Sequence, residues 1–376
     1  MSDLELRKKL REDLESPREK RRFGTGWISG VIGLVGGVAS LGIVLCMLFP
    51  QALTMPELRG FYDRVPMRLV LYGLLLGSYV MCIVSLVLRE THIIGYAGLT
   101  AVLLATLALH LGGPTPGDLL GGAFLGLDLF LLSVAFTGLL FVPLERLRPQ
   151  RDQSIFRIEW REDLFYYFVS SMLVQIFTFC SLWPSMYIST HTTWTALRAA
   201  VGSQPLALQF LEIFFLTDFV QYCVHRAFHR IPALWKFHAV HHSAKAMDWM
   251  AGARMHFLEI LILRGLTVIP MRVLGFGDGP VYTYILAVYI YSTLIHANVS
   301  FVPAWLEAVL VTPRFHHWHH GIEKEAIDVN FAIHFPLFDR VFGTHHMPPG
   351  RWPEGYGIEG HPVPVGYWKQ MKHPFV

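Results

Sequence analysis

The stretch Leu206-Ala-Leu-Gln-Phe-Leu-Glu-Ile-Phe-Phe-Leu-Thr-Asp-Phe-Val-Gln-Tyr-Cys223 is mostly apolar and is followed, after Val224, by His225-Arg-Ala-Phe-His229. A helix of this length, at about 1.5 Å per residue, nearly spans the hydrocarbon core of a bilayer. The sequence therefore predicts a membrane helix that carries histidines, one turn apart, where it leaves the bilayer.

The rest of the chain agrees with a membrane protein. Of its 376 residues, 53% are hydrophobic and only 16% are charged, a composition unusual for soluble domains. Five further apolar runs approach the length of a bilayer span: Gly26–Phe49, Arg68–Leu88, Ile93–Leu111, Leu119–Val142 and Leu164–Trp183. A hairpin over 257–299, interrupted at 275–280, follows them. Short apolar runs can be buried core helices, but so many long ones favour an all-α, polytopic transmembrane helical bundle.

Basic residues predict how the spans are oriented. The polar segment 1–22 is rich in arginine and lysine and abuts the first span, and a second basic cluster lies between 144 and 161. The positive-inside rule places both in the cytosol, and two further spans return the chain there at His225. We expect no cleavable signal peptide, and a multi-pass protein of a bacterial inner membrane rather than of the endoplasmic reticulum.

Charge and cysteine content exclude other classes. The net charge of +3 is too small to indicate nucleic-acid binding, and the basic residues at membrane edges are explained by anionic lipid. The four cysteines are isolated within apolar runs, so they form neither a disulfide framework nor a CxxC site.

Histidine content divides the chain. Fourteen of the 19 histidines lie between 225 and 346. We predict a basic arm over 1–25, a four-span region over 26–145, a catalytic region over 146–346 that contributes a cytosolic histidine-rich helical cap, and a C-terminal tail over 347–376.

Three histidine groups have the spacing of metal ligands. They read HxxxH at 225–229, HxxHH at 238–242 and HxxHH at 316–320. Residues three and four apart share a helix face, and neutral imidazole suits iron, zinc, copper or nickel. Solvated surface histidines are the alternative, but three such groups on one predicted side of the membrane favour a metal centre.

The number of histidines indicates two metals. The candidate ligands are His225, His229, His238, His241, His242, His316, His319 and His320. His296 is a ninth candidate, or else a core histidine, and His317 lies off the shared face. Eight ligands exceed the coordination number of one ion, and a catalytic zinc usually needs only three. Two irons that activate dioxygen are the interpretation we adopt.

Three polar residues are candidate catalytic groups: Asp218, Tyr222 and Asn298. Asp218 and Tyr222 share a helix face with His225. An acid near the membrane is a functional candidate, and we expect Asp218 to accept the second ring N–H of a ligand histidine. A salt bridge to Arg226 is the alternative.

The joint spacing resembles a known family. It reads Asp218-x3-Tyr222-x2-His225-Arg226-x2-His229, His238-x2-His-His242, Thr312-Pro313-x2-His316-x2-His-His320 and Asp339-x2-Phe342-Gly-Thr344. Over about residues 140–346 this resembles the fatty acid hydroxylase and sterol desaturase superfamily of integral-membrane di-iron enzymes. The eight histidines match the family's ligand boxes, and His296 matches the histidine that precedes the last box.

The resemblance also marks departures. Some relatives carry a further histidine where this chain has Ser300, so that the ligand count is nine, or water or Asn298 would fill that ligand position. His256 is followed by Phe257 instead of the family's usual proline, and is expected to support the ligands rather than bind metal. The chain reads Asn330-Phe-Ala332 where many members read Asn-Tyr-Gly.

The resemblance implies a lipid oxygenase. Two irons, dioxygen and two electrons would hydroxylate a C–H bond of a sterol, fatty acyl chain or ether lipid, or desaturate it. A separate ferredoxin or cytochrome with its reductase would supply the electrons, and zinc could replace iron in the purified protein. The alternatives are a histidine-rich metal transporter or sensor, and a zinc-dependent lipid hydrolase. Transport is disfavoured because the spans over 27–142 have Asp128 as a mid-span acid but no histidine pair.

Overall fold

A computed structural model of the protein describes residues 3–62, 65–111, 123–300, 303–360 and 363–376. In these residues the chain forms helices and isolated bridges, without β-strands. The first helices are α1 (Asp3–Leu14), α2 (Trp27–Leu48), α3 (Pro50–Leu53), α4 (Pro56–Tyr62), α5 (Val65–Leu88), α6 (Ile93–Leu111), α7 (Leu127–Leu147), α8 (Trp160–Met172) and α9 (Val174–Thr190). They are followed by α10 (Thr195–Gly202), α11 (Leu206–Arg230), α12 (Pro232–His242), α13 (Phe257–Leu274), α14 (Asp278–His296), α15 (Ala304–Glu307), α16 (Pro313–His319), α17 (Leu337–Val341) and α18 (Tyr367–Lys372).

Five of these helices are long and apolar enough to cross a membrane: α2, α5, α6, α7 and α11. The predicted all-α transmembrane architecture is thus confirmed. The predicted span over 164–183 is interrupted, because α8 and α9 meet at a 64° bend and form either one broken span or a re-entrant loop. The hairpin over 257–299 consists of α13 and α14, which are not among the five. Helix α13 ends before Gly275, which has a left-handed backbone conformation with a φ of 83°.

The fourth predicted span begins later than expected. Residues 119–122 of that prediction, like residues 1–2 of the basic arm, lie outside the described residues. Helix α7 starts at Leu127, so Asp128 lies in its first turn, where its carboxylate accepts the N–H groups of Met55 and Leu129. Asp128 therefore serves a helix N-terminus and is not a mid-span acid.

The chain forms two compact units. One comprises residues 1–133 and 171–175, and the other comprises residues 134–170 and 176–376. In the first unit, α2 packs closely on its neighbours through glycines: a Cβ on Gly33 would lie 2.4 Å from Cys82 Sγ, and one on Gly37 would lie 2.8 Å from the Gly98 carbonyl oxygen. Such close approach is how apolar membrane helices associate. The domain boundaries proposed from the sequence stay predictions.

The second unit contains all the candidate ligands. Local sequence fixes the helices that carry them: Pro232 and Pro313 occupy first-turn positions of α12 and α16, and the Thr312 hydroxyl caps α16 by accepting the Phe315 N–H. Helix α11 packs against α12, α13 and α14. A buried cluster of Tyr222, Ile295, Val311, Phe315, Phe331, Ala332 and Phe338 joins α11, α14 and α16 to the segment after residue 330.

Candidate metal centre

The nine predicted ligands come together as two groups. The five-histidine group contains His225 and His229 of α11, His238 and His242 of α12, and His319 of α16. One nitrogen from each ring lies within 4.8 Å of all the others. The Nε2 atom of His238 is 3.0 Å from that of His225 and 3.1 Å from that of His242, which is 3.1 Å from that of His319.

The four-histidine group contains His241 of α12, His296 at the end of α14, His316 of α16 and His320 immediately after α16. Its Nε2 atoms are equally close: His296 lies 3.2 Å from His241 and 3.0 Å from His316, and His316 lies 3.2 Å from His320. Both groups take ligands from α12 and α16, so the two metal positions would be neighbours.

These spacings suit metal coordination. With metal–nitrogen bonds of about 2.1 Å, two nitrogens bound to the same ion lie about 3.0 to 3.4 Å apart. Neighbouring Nε2 atoms at 3.0–3.2 Å are close to that range. The residues of each group therefore fit a transition-metal ion held by imidazoles.

Six of the clustered histidines are not on the membrane helices, and burial keeps their rings neutral, which is the form that binds metal. Removal from water, reinforced by the neighbouring imidazoles, lowers the pKa of each of these rings well below the usual value for histidine. The six residues are His238, His241, His242, His316, His319 and His320. Neutral imidazole has a free lone pair for coordination.

Backbone carbonyls fix the orientation of two rings in the five-histidine group. The Nδ1–H of His225 donates to the Phe331 carbonyl at 2.8 Å, and that of His319 donates to the Val329 carbonyl at 2.8 Å. These carbonyls flank Asn330, which has a φ of 58°, and Asp328 has a φ of 60°. Left-handed non-glycine residues are uncommon and cluster at functional sites. The resulting turn directs both carbonyls to ligand rings, leaving each Nε2 free for the metal.

Two carboxylates also support the five-histidine group. Glu259, in the first turn of α13, accepts the His238 Nδ1–H at 2.5 Å, and both side chains are buried. Asp328 Oδ1 lies 3.4 Å from His229 Nδ1. A carboxylate behind a ligand histidine fixes its tautomer and raises its basicity. Glu259 therefore has the supporting role that the sequence assigned to Asp218.

Backbone contacts orient the four-histidine group. The Nδ1–H of His241 donates to the Arg254 carbonyl at 3.0 Å, and that of His296 donates to the Ser292 carbonyl at 2.7 Å. Gly252 lies against the second ring, because a Cβ there would be 2.9 Å from His296 Nδ1. The segment 251–254 thus packs directly on two ligands.

A buried ion network holds that segment in place. The Arg254 guanidinium contacts Asp163 at 2.5 Å and Glu159 at 2.8 Å, and Asp163 also pairs with Arg157, which lies 2.7 Å from Asp248. Asp248 in turn accepts the N–H groups of Met250 and Ala251. The network connects α8 to the backbone that orients His241.

Asp218 differs from its prediction. Its two carboxylate oxygens accept the backbone N–H groups of Ile333, His334 and Phe335, at 2.8–2.9 Å. It contacts neither a ligand histidine nor Arg226 through a hydrogen bond in the described part of the chain, because the segment after residue 332 occupies its lone pairs. Asp218 fastens this segment to α11.

Tyr222 and Asn298 also bond groups other than the clustered histidines. The Tyr222 hydroxyl lies 3.0 Å from that of Thr344 and accepts from Arg226. The Asn298 side chain accepts the Arg151 N–H and donates to the Arg151 carbonyl, both at 2.9 Å. Both residues brace the surroundings of the site, so their predicted catalytic roles have no contact to support them here.

Two further histidines near the groups, His317 and His256, have other partners. His317 bonds the Tyr356 hydroxyl and the His296 carbonyl, away from both groups. His256 caps α13 by accepting the Leu258 N–H, and donates to the Met371 carbonyl. Ser300 is exposed and donates to the Arg148 carbonyl, so it occupies no ligand position.

The supporting residues left few signals in the sequence. Glu259 is an acid at the start of an apolar run, a pattern that could have singled it out. Gly252 and the carbonyls at 254, 329 and 331 act through the backbone, which side-chain patterns do not report.

Comparison with known proteins agrees with this arrangement. Residues 210–344 match the family model described as fatty acid hydroxylase. This segment is a fatty acid hydroxylase domain. It contains all nine clustered histidines as well as Glu259, Asp328 and Asp218.

Several characterised proteins are similar to the chain. An ornithine lipid hydroxylase from Rhizobium tropici is 33% identical over 172 residues, which cover 46% of this chain and 51% of the relative. Human alkylglycerol monooxygenase is 31% identical over 128 residues, 34% of this chain and 28% of the relative. A very-long-chain aldehyde decarbonylase from Oryza sativa subsp. japonica is 32% identical over 139 residues, 34% and 22% respectively. The chain thus spans about half the length of the first of these relatives and a smaller share of the other two. No solved structure matches it significantly.

Proposed function

We propose that the protein is a membrane-bound, non-haem di-iron oxygenase that hydroxylates, or desaturates, a C–H bond of a lipid. The observation that carries the proposal is the pair of adjacent, buried histidine groups inside a fatty acid hydroxylase domain. Five apolar helices in the same chain suit a substrate that resides in the bilayer.

The residues have distinct roles in this proposal. The five-histidine group and the four-histidine group would each hold one iron, and the two irons would supply the redox chemistry that activates dioxygen and breaks the C–H bond. Glu259 and the carbonyls of Phe331, Val329 and Arg254 keep each Nε2 directed inward. Burial of the rings excludes bulk water, which protects the reaction from unproductive side steps.

An apolar groove supports a lipid substrate. Its volume is about 480 Å³ and it lies between α11 and α13, lined by residues such as Phe219, Val224, Leu266 and Ile269. Its wall is formed almost wholly by carbon atoms, as an acyl chain or a ring system requires. The names of two relatives, an ornithine lipid hydroxylase and an alkylglycerol monooxygenase, also indicate lipid substrates.

Lipid analysis tests the proposed function. Cells with the intact protein and cells with His319→Ala are compared by mass spectrometry of total lipid. We expect one lipid class to gain an oxygen atom, or to lose two hydrogens, only with the intact protein. An unchanged lipid profile would count against a lipid oxygenase.

Metal analysis separates this function from its alternatives. The purified protein is expected to contain iron near two per chain and to consume dioxygen with lipid. Tight zinc with oxygen-independent ester cleavage would indicate a hydrolase, and ion uptake by vesicles would indicate a transporter. Because zinc can replace iron during purification, turnover is measured after reloading the metal-free protein with iron.

The proposal includes an orientation. The histidine groups and the N-terminal arm would face the cytosol of a bacterial cell, where a ferredoxin or cytochrome with its reductase can deliver electrons. Reporter fusions at the N-terminus and after residue 242 test this, and a periplasmic signal from either would contradict it.

A further inference from the structure

Trp235 joins one metal position to the protein surface. It lies in the first turn of α12 and is partly exposed. Its ring centroid is 5.0 Å from that of His229, 5.4 Å from that of His242 and 6.2 Å from that of His238. Positions 235, 238 and 242 lie on one stripe of the helix, so the indole packs, tilted or edge-on, against three rings of the five-histidine group.

Such a connection matters because the ligands themselves are buried. Electrons from outside must cross this shell by tunnelling, whose rate falls steeply with distance, and a conjugated ring in contact with the ligands shortens the gap. Trp318 is the other tryptophan next to ligands in sequence. It is fully buried, and its indole contacts His346 and Arg351 instead.

The surface around Trp235 has the character of a docking site. Ile231 is exposed beside it, and the contact between Arg230 and Asp328, at 3.3 Å, brings the exposed Ile327 to the same place. Arg230 and Lys236 are both solvent-exposed and border these apolar groups. We call Arg230, Ile231, Lys236 and Ile327 the α12 patch. Asp328 pairs with Arg230, and Lys236 donates to the Val376 carbonyl, but both cations have exposed side chains that an acidic partner can reach. Apolar centres bordered by charged residues are typical of transient protein interfaces.

We propose that Trp235 is the point at which electrons pass to the metal centre, and that the α12 patch docks a small acidic one-electron carrier protein. The inference rests on the proposed function. At each encounter the carrier would lose one electron, and an iron held by the five-histidine group would be reduced from ferric to ferrous. Two encounters supply a turnover in which R–H, O2, two electrons and two protons give R–OH and H2O.

The docking step is tested on the metal-free protein in detergent, with an acidic plant-type ferredoxin as the probe. We expect Arg230→Glu combined with Lys236→Glu to weaken binding about tenfold, and the wild-type affinity to fall with salt. Lys245→Glu is the matched control, because Lys245 is as exposed but lies beyond the opposite end of α12. Equal affinity for the double variant and the wild type would overturn the α12 patch as the docking site.

The transfer step is tested by mixing reduced ferredoxin with the iron-loaded protein and following oxidation of the ferredoxin. Trp235→Leu should lose the fast phase, and Trp235→Phe, which retains a ring, should recover part of it. Trp305→Leu, at an exposed tryptophan on α15, should not change the rate. Iron content and reduction by dithionite are measured for each variant, so that loss of metal is recognised. A wild-type rate in iron-replete Trp235→Leu would overturn the role of Trp235.

The two proposals fail in different ways. If dithionite and dioxygen sustain lipid oxidation while Trp235→Leu accepts ferredoxin electrons normally, the inference fails and the proposed function stands. If ferredoxin reduces the wild type through Trp235 but no lipid is oxidised under any conditions, the proposed function fails instead.

Discussion

The two histidine groups share helices and spacing but differ in what supports their rings. Carboxylates stand behind the five-histidine group: Glu259 bonds His238, and Asp328 lies beside His229. Among the described residues, only backbone carbonyls are hydrogen-bonded to Nδ1 of the four-histidine group, and His316 Nδ1 has no partner. A carboxylate makes an imidazole a stronger donor than a carbonyl does. We therefore expect the five-histidine group to bind a divalent metal more tightly, and the four-histidine group to exchange it more readily.

Removing one ligand should have the largest effect. His316→Ala leaves three histidines in its group, whereas His242→Ala leaves four in the other. Both variants should lose lipid oxidation, but His316→Ala should lose close to one iron per chain and His242→Ala less. Iron analysis by mass spectrometry after gel filtration checks this. Equal losses would show that the two groups do not differ in affinity.

Replacing the carboxyl group behind His238 should have the next largest effect. Glu259→Gln preserves shape but offers a weaker acceptor, so metal affinity of the five-histidine group should fall about 10- to 100-fold. Titration of the metal-free protein with cobalt(II) measures the two affinities separately. Glu307→Gln, whose carboxylate pairs with Arg314 away from the histidines, is the control. A fall confined to the weaker of the two sites would reverse our assignment.

A methyl group at Gly252 should act on the other group. The Cβ of Gly252→Ala would lie 2.9 Å from His296 Nδ1, so the ring must move, and affinity of the four-histidine group should fall about tenfold. At Gly265 the nearest atom to an added Cβ is 3.7 Å away. Gly265→Ala should therefore leave both affinities unchanged, and a similar loss in both variants would argue against the contact.

The pH dependence of stability should show the smallest effect. Burial, partly offset by the bond to Met371, lowers the pKa of His256 below its usual 6.5. The unfolded chain then binds the proton first as pH falls, so stability is lost below about pH 6.5 and is fully present above it. His256→Asn can still cap α13 but does not titrate. Urea unfolding of both proteins at pH 7.5 and 5.5 should show a smaller pH effect in the variant. An identical pH effect would show that His256 is not responsible.

The clustering of the histidines was predictable from the sequence, and the groups that orient their rings were not. Helical spacing and clustering identified the nine histidines that form the two groups, because a metal site needs several identical donors at fixed intervals. Long apolar runs likewise predicted the membrane helices, although not the bend between α8 and α9. Asp218 does lie on the predicted face of its helix, but its predicted partner was wrong. Its hydrogen bonds come from residues 333–335, over a hundred positions away. Sequence spacing has no information about such tertiary contacts.

The carbonyls of Val329 and Phe331 have a consequence for how this loop can vary. His225 and His319 require only backbone oxygens there, and Asp339 accepts the backbone N–H groups of Phe331 and Ala332 at 2.8 Å. A change of side chain leaves these groups in place provided that the turn survives. The departure from Asn-Tyr-Gly to Asn330-Phe-Ala332 retains the asparagine, whose side chain bonds the backbone of Phe315 and His346. The loop can thus vary at Val329, which acts only through its carbonyl, whereas Asn330 and Phe331 remain constrained. The Phe331 ring is buried against His225, His229 and His319.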